Sequence, residues 1–274
     1  MDVPLGTSLR FDARQRRCRV ILPPAASDGP SVLAFSHHKA GSTMLFGMLS
    51  AFSKAAGMTY VSVASELFAR GVDLRSVEIE VDWSRKGYCF GGFRFFPEAS
   101  LPLIAEARSA LLVRDPRDAV VSHYFSVRDS HPHPARDGAL RQRMIEDRER
   151  ARATPIDDWV IENQGAAIES LASYIAQGFL RRPNVAIYRY EDVIYRKRAW
   201  ADELLAWYGW KIPSVIVDRI VGEFDVFPKR VAADQHVRQV HPGNHRTILK
   251  PATREKLDVC FGHLLRVFGY IEAS

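Results

Sequence analysis

The sequence predicts an α/β fold of three layers, a mostly parallel sheet flanked by helices on both faces. Three observations predict it. Short apolar runs of strand length alternate with stretches whose apolar residues recur at helical spacing, the signature of strand–helix–strand crossovers. The clearest strand candidates, Val32–Phe35 and Ala110–Val113, are unbroken apolar runs, as strands covered on both faces should be. Hydrophobic residues make up 47% of 274 residues, enough for one large domain or two small ones.

The elements follow in chain order. Residues 1–30, punctuated by Pro and Gly, read as an N-terminal arm, loose or carrying a short edge strand. Residues 31–274 read as a single domain. After Val32–Phe35 and a polar loop, a helix is expected from Ser42 to Ala56, with Leu45, Met48, Leu49 and Phe52 on one buried face and Gly57 as its stop. Tyr60–Val63 is a short strand and Ser65–Phe68 opens a helical turn. Val77–Val81 alternates as a strand does, and Tyr88–Phe96 is aromatic and broken by glycine. Pro97 and Pro102 bracket a short helix that runs to Ala107. Beyond Ala110–Val113 come a turn at 114–117 and a helix from Asp118 to Phe125.

Residues 128–160 carry many charges of both signs and two His-Pro pairs (His131-Pro132, His133-Pro134), and read as a surface insertion or lid. A long helix over 156–180, a strand at 184–190 and helices over 191–208, 214–224 and 252–268 complete the expectation. The sequence shows no internal repeat and no low-complexity tract.

The formal net charge of +6 suits an anionic partner, but basic runs are not interleaved with aromatic residues as in a nucleic-acid module. Cys18, Cys89 and Cys260 lie far apart, odd in number and without CxxC spacing, which speaks for reduced thiols rather than disulfides or zinc. No apolar run approaches the ~20 residues of a membrane helix, and arginines interrupt the N-terminal region early. A soluble, cytoplasmic protein is the expectation, with its oligomeric state open.

Four blocks carry chemistry. The first, Ser36-His37-His38-Lys39-Ala40-Gly41-Ser42-Thr43, joins a strand to a helix start. Loop N–H groups and the positive end of the helix dipole there hold phosphate or sulfate, and Lys39 adds a mobile cation. With Lys39 ahead of Gly41, the loop is not a Walker A sequence, yet it marks a P-loop-like nucleotide-binding core. In the second, Arg114-Asp115-Pro116-Arg117-Asp118, Arg114 ends a strand where its fork can bind a phosphate, with Ser122 adding a hydroxyl. Arg117 and Asp118 either serve the site or pair with each other to fix the turn. The third, Tyr190-Glu191-Asp192, puts two acids at a helix start, where the dipole alone favours them. The fourth, Phe224–Phe227 followed by the basic segment 236–246, has the Gly243 hinge of a loop that folds over an anion.

In this order and spacing, over about residues 31–250, the blocks resemble the sulfotransferases that use 3′-phosphoadenosine-5′-phosphosulfate (PAPS). The family's K-S-G-T-T-W loop reads Lys39-Ala40-Gly41-Ser42-Thr43-Met44 here. Its R-N-P-x-D with a later Ser is matched by Arg114, Asp115, Pro116, Asp118 and Ser122. Its Y-E-D is Tyr190-Glu191-Asp192, and its R-K-G-x-x-G-D-W-K corresponds loosely to Arg238 through Arg246. The resemblance implies that residues 39–43 cradle the 5′-phosphosulfate, with Lys39 on the bridging oxygen. It implies that Arg114, Ser122, Arg238 and the Gly243 loop hold the 3′-phosphate, and that Tyr190 and Phe224 border the adenine. An acceptor hydroxyl or amine then attacks sulfur in line, 3′-phosphoadenosine 5′-phosphate (PAP) leaves, and no metal is required.

The sequence departs from that family at three places. Met44 stands where a Trp packs on the adenine, and Gln239 and Val240 replace the Lys and Gly of R-K-G. Phe95, in Phe93-Arg94-Phe95-Phe96-Pro97, occupies the place of the catalytic His of K-T-H-x-P. Glu66 is the first candidate for a replacement base, with Glu98 and His123 behind it and His37 and His38 near enough to the sulfuryl group to assist. Arg94 either supplies the cation of the family's Lys or binds an anionic acceptor. The function expected is sulfuryl transfer to a hydroxyl on a carbohydrate or small metabolite. A non-catalytic PAPS-binding or nucleotide-binding protein and a P-loop kinase are the alternatives.

Overall fold

The computed structural model describes residues 7–12, 17–73, 76–94, 96, 102–227 and 240–272. In chain order these form β1 (Ser8–Phe11), β2 (Arg17–Ile21), β3 (Val32–Ser36), α1 (Ser42–Ala55), β4 (Thr59–Val61), α2 (Val63–Ala69), β5 (Glu78–Glu80) and β6 (Tyr88–Phe93). Next come β7 (Ser109–Val113), α3 (Pro116–Phe125), α4 (Ala139–Ala153), α5 (Ile156–Glu162), α6 (Gly165–Ala176) and β8 (Val185–Arg189). The chain then continues through α7 (Tyr190–Val193), α8 (Lys197–Tyr208), α9 (Ser214–Phe224), α10 (Asn244–Ile248) and α11 (Pro251–Val267).

Five strands pair in the order β4-β6-β3-β7-β8, all parallel, with Ala34 opposite Ala110 and Leu111 opposite Ile187. Strand alternation divides the central pair between two cores. Leu33, Phe35, Leu111 and Val113 join Val121, Trp159, Leu171 and Leu257 of α3, α5, α6 and α11 on one face. Val32, Ala34, Ala110 and Leu112 join Leu45, Trp200, Leu204 and Val217 of α1, α8 and α9 on the other. The result is the three-layer α/β architecture expected, and it explains why β3 and β7 read as unbroken apolar runs. Each of these large side chains contributes roughly 1.5–3 kcal/mol through burial.

A second, smaller sheet has the order β1-β2-β5. Val77–Val81 was the expected strand; only its centre, β5, forms one, and it joins this sheet rather than the parallel one. Its alternate residues explain the choice, because Arg17 pairs with Glu78 and Arg19 with Glu80 across the strands. Leu9, Cys18 and Val20 turn the hairpin's other face into the first core.

Other boundaries also differ from expectation. The helix over 156–180 divides into α5 and α6, because the side-chain amides of Asn163 and Gln164 turn back to donate to the carbonyls of Trp159 and Ile161. The helix over 191–208 divides at residues 194–196 into α7 and α8. The segment after Pro102 is a single 3-10 turn, Pro102–Ala105. After α3 the backbone widens into one π turn, Ser126–Ser130, before the chain reaches α4. Among the described residues, no helix is long and apolar enough to cross a membrane.

Candidate active site

The loop between β3 and α1 lies at the C-terminal end of the central strand, where parallel sheets place their ligands. Its shape depends on two left-handed residues, Lys39 (φ 66°) and Gly41 (φ 88°). Lys39 is the only non-glycine among the described residues with this backbone, a strain that recurs where a loop must aim its amides. Gly41 is needed for a second reason. A Cβ there would stand 2.9 Å from the Tyr190 ring, so the loop closes onto β8's exit only without one. Ser42 and Thr43 then start α1, and Ala40 is buried beneath the loop.

His37 fastens this loop to the neighbouring strand. The Arg114 N–H donates to its Nε2 at 2.8 Å, tying the end of β7 to the end of β3. Burial holds this imidazole near 4, so it is neutral and acts as an acceptor. It belongs to the scaffold, not to the cavity wall, contrary to the expectation that it assists at the reacting group.

Arg114 is 4% exposed. Its guanidinium stacks on the Tyr190 ring at 4.6 Å, and Nη1 donates to the Lys39 carbonyl at 3.4 Å. Nη2 lies 3.6 Å from Asp118 Oδ2, yet neither Nη2 nor Nε makes a hydrogen bond. Two buried donors of one fork thus stand unused.

The rest of the Arg114–Asp118 turn fixes that fork. Asp115 caps α3 by accepting from Arg117 N–H, and the Arg117 guanidinium pairs with Asp115 and Asp258, each at 2.6 Å. The pairing of Arg117 with Asp118 held open above does not occur. Asp118 instead accepts from Gly243 N–H (2.6 Å), His245 N–H (2.9 Å) and His245 Nδ1 (2.6 Å). Burial pushes Asp118 up, but His245 and Arg114 outweigh it and hold the carboxyl at about 2. Glu191 accepts from Asp115 N–H and from the Tyr270 hydroxyl, both at 3.0 Å. The three motifs are therefore bonded to one another as well as placed side by side.

They surround a cavity of about 190 Å³. Lys39, Gly41, Ser42, Thr43 and Met44 form one wall, and Arg114, Ser122 and Tyr190 another. Arg94 and His38 close one side, and Phe224 with Val240 closes another. Burial and the charges of Arg94 and Arg114 lower the Lys39 ammonium to about 8. No described carboxylate pairs with Lys39 or Arg94. Phe224 lies so close over α1 that a Cβ at Gly47 would meet its ring at 2.4 Å.

Four wall residues were not anticipated, among them Ile194, just after α7, and Glu223, near the end of α9. His131 enters from the π turn, and His131-Pro132 in the expected lid was the available signal. Lys197, buried at the start of α8, pairs with Asp225 at 2.7 Å and sits 3.8 Å over the Phe227 ring. Nothing local in the sequence marks it.

Other expected residues lie apart from the wall. Glu66 is half-buried on α2, Gly243 is held behind Asp118, and His123 stands beside Ser122 without lining the cavity. Phe95, Glu98 and Arg238 lie outside the described residues. A larger groove of about 670 Å³ runs along β8, but its Arg189 and Arg196 already pair with Asp192 and Glu203.

No protein-family model matches the sequence, and no curated protein matches it. Among solved structures, the chain is similar to mouse sulfotransferase SULT7A1 complexed with PAP, at 16% identity and a TM-score of 0.57, over 88% of this chain and 86% of that one. It is also similar to retinol dehydratase in complex with androsterone and the inactive cofactor PAP, at 14% identity and a TM-score of 0.52, over 86% and 80%. At these identities the likeness is one of fold.

Proposed function

We propose that this chain, which has the sulfotransferase fold, moves a sulfuryl group from PAPS to an acceptor hydroxyl on a carbohydrate or small metabolite. The observation that carries this reading is the charge of the cavity wall. Lys39 and Arg94 have no described carboxylate partner, and Arg114 holds two buried nitrogens without hydrogen bonds. A wall of this kind is costly when empty and is satisfied by anions.

The donor set suits PAPS at both ends. Arg114 and Ser122 would hold the 3′-phosphate, with Arg238 as a further candidate and Gly243 supporting the loop through Asp118. The loop 39–43 and the start of α1 would hold the phosphosulfate, and Tyr190, Phe224 and Met44 would border the purine. PAPS supplies the sulfuryl group and a leaving phosphate. Lys39 is the cation available to the bridging oxygen as it gains charge, and preorganised donors of this kind supply much of a rate enhancement. As the acceptor oxygen bonds to sulfur and the bridging S–O bond breaks, the acceptor's proton must leave. Among the candidate bases named from the sequence, His38 is the one that lines the wall, in preference to Glu66, and Arg94 is the cation beside it. The free thiols Cys18, Cys89 and Cys260 agree with a cytoplasmic setting.

Ligand binding tests this reading. PAP should raise the melting temperature in the absence of Mg²⁺, by about 2.7 kcal/mol of added stability at a hundredfold excess over Kd. ATP with Mg²⁺ should do little, and labelled sulfate should pass from PAPS to a member of a hydroxyl-compound panel. Preference for ATP with Mg²⁺ would overturn the reading in favour of a kinase. PAP binding without transfer to any acceptor would favour a non-catalytic binding protein.

A further inference from the structure

Three histidines from separate segments gather at the Lys39 end of the cavity. His38 comes from the loop after β3, His123 from α3 and His131 from the end of the π turn. The His38 and His123 rings meet edge to face, with centroids 4.6 Å apart and planes at 86°. His131 lies 6.4 Å from His38, with its Nδ1 3.4 Å from Ser126 Oγ and Phe68 against its ring. Trp159 packs edge-on against His123 at 5.3 Å.

The charged and titratable groups that act on this pair are all basic. Lys39, Arg94, His123 and His131 act on His38, while Lys39 and His131 act on His123. A proton on either imidazole of the empty site would add a cation to a desolvated group that already holds two. Burial and these neighbours accordingly keep His38 neutral far below its usual range and hold His123 near 3. Two imidazolium rings in such contact would repel, so the pair takes one proton and not two.

Given the sulfuryl-transfer reading above, we infer that the donor arms the base: His38 and His123 hold an acceptor's proton only while the donor's negative charge lies against Lys39 and Arg94. The base is inert in the empty protein and becomes competent when PAPS is seated. Donor binding therefore precedes proton transfer, and an acceptor bound alone keeps its hydroxyl proton. The transferred proton stays on the imidazole pair, which returns it to water once PAP departs.

The full chain with ring-¹³C-labelled histidine tests this by NMR, with PAP as the probe because it brings the phosphate charge without turnover. The His38 and His123 signals are identified by their loss in His38→Asn and His123→Asn. Without PAP both rings should remain neutral down to about pH 5. With saturating PAP the pair should take up one proton, with its midpoint raised by at least about 1 pH unit. Lys39→Met should raise the midpoint without PAP, which a purely structural lysine would not do. An unchanged midpoint despite PAP binding in a melting assay overturns the inference, as does titration of both rings. Failure of PAP to bind at all overturns the sulfuryl-transfer reading as well. The Lys39→Met arm then still reports whether the cations hold the pair neutral.

Discussion

Arg114 joins more of this site than any other single side chain. Its backbone N–H is held by His37, its fork reaches the Lys39 carbonyl and the Asp118 carboxylate, and its face lies on Tyr190. Arg114→Gln should weaken PAP by about 10- to 100-fold in calorimetry, the value of charge-assisted hydrogen bonds to a phosphate. Arg114→Lys should recover little of this, since an ammonium cannot reproduce the planar fork. At His37 the expectation is different. His37→Leu leaves the Arg114 N–H buried without an acceptor and should cost about 1–3 kcal/mol in urea unfolding. The two residues lie 77 positions apart in the chain and meet across the sheet, and their partners there distinguish the two roles.

At the scale of elements, the strand–loop–helix units were legible because their signals are local. An apolar run, a glycine in the turn and a hydroxyl at the helix start occupy consecutive positions, so residues 36–43 and 114–118 announced themselves. What ties the elements together is not local. Asp118 reaches His245 of α10, Glu191 reaches back to Asp115, and Lys197 enters the wall from α8, none of it visible in linear spacing. Glu66 was chosen from its place after a short strand, but α2 keeps it out of the wall, while His38, expected only to assist, lines it. The lengths of the helices over 156–180 and 191–208 were overestimated because apolar periodicity continues across both breaks.

Two substitutions probe these element contacts. Asp118→Ala leaves Arg114 without its counter-charge and frees the start of α10, and should cost about 3–5 kcal/mol in urea unfolding. Gly41→Ala forces a side chain into left-handed backbone against Tyr190 and should cost about 1–3 kcal/mol. It should also weaken PAP more than that loss of stability alone explains.

For the whole molecule, buried neutral histidines set the acid limit. His37 and His123 have folded-state values near 4 and 3, below the ordinary value of 6.5. Below about pH 6.5 the unfolded chain binds protons that the folded protein refuses, so stability declines as pH falls. The decline continues until pH reaches the folded values, and His37 alone accounts for about 3 kcal/mol by pH 4. Asp118, held near 2, adds to the loss only below the ordinary carboxylate value of 3.8, as pH approaches 2. Urea melts from pH 8 to pH 4 should show a monotonic fall, reduced in slope by His123→Asn.

The order β4-β6-β3-β7-β8 also has a consequence in time. Every neighbouring pair in this sheet joins strands separated by a crossover, and β8 meets β7 only after the whole α3–α6 region has been placed. Tyr190, directly after β8, then reaches its contacts with Gly41 and Arg114. Such non-local pairing makes folding slow compared with a helical bundle. The pocket is thus among the last features to form in refolding, and recovery of PAP affinity should lag behind recovery of helical signal. A chain that binds the nucleotide is one whose sheet has closed, which makes the ligand a clock for the final step of assembly.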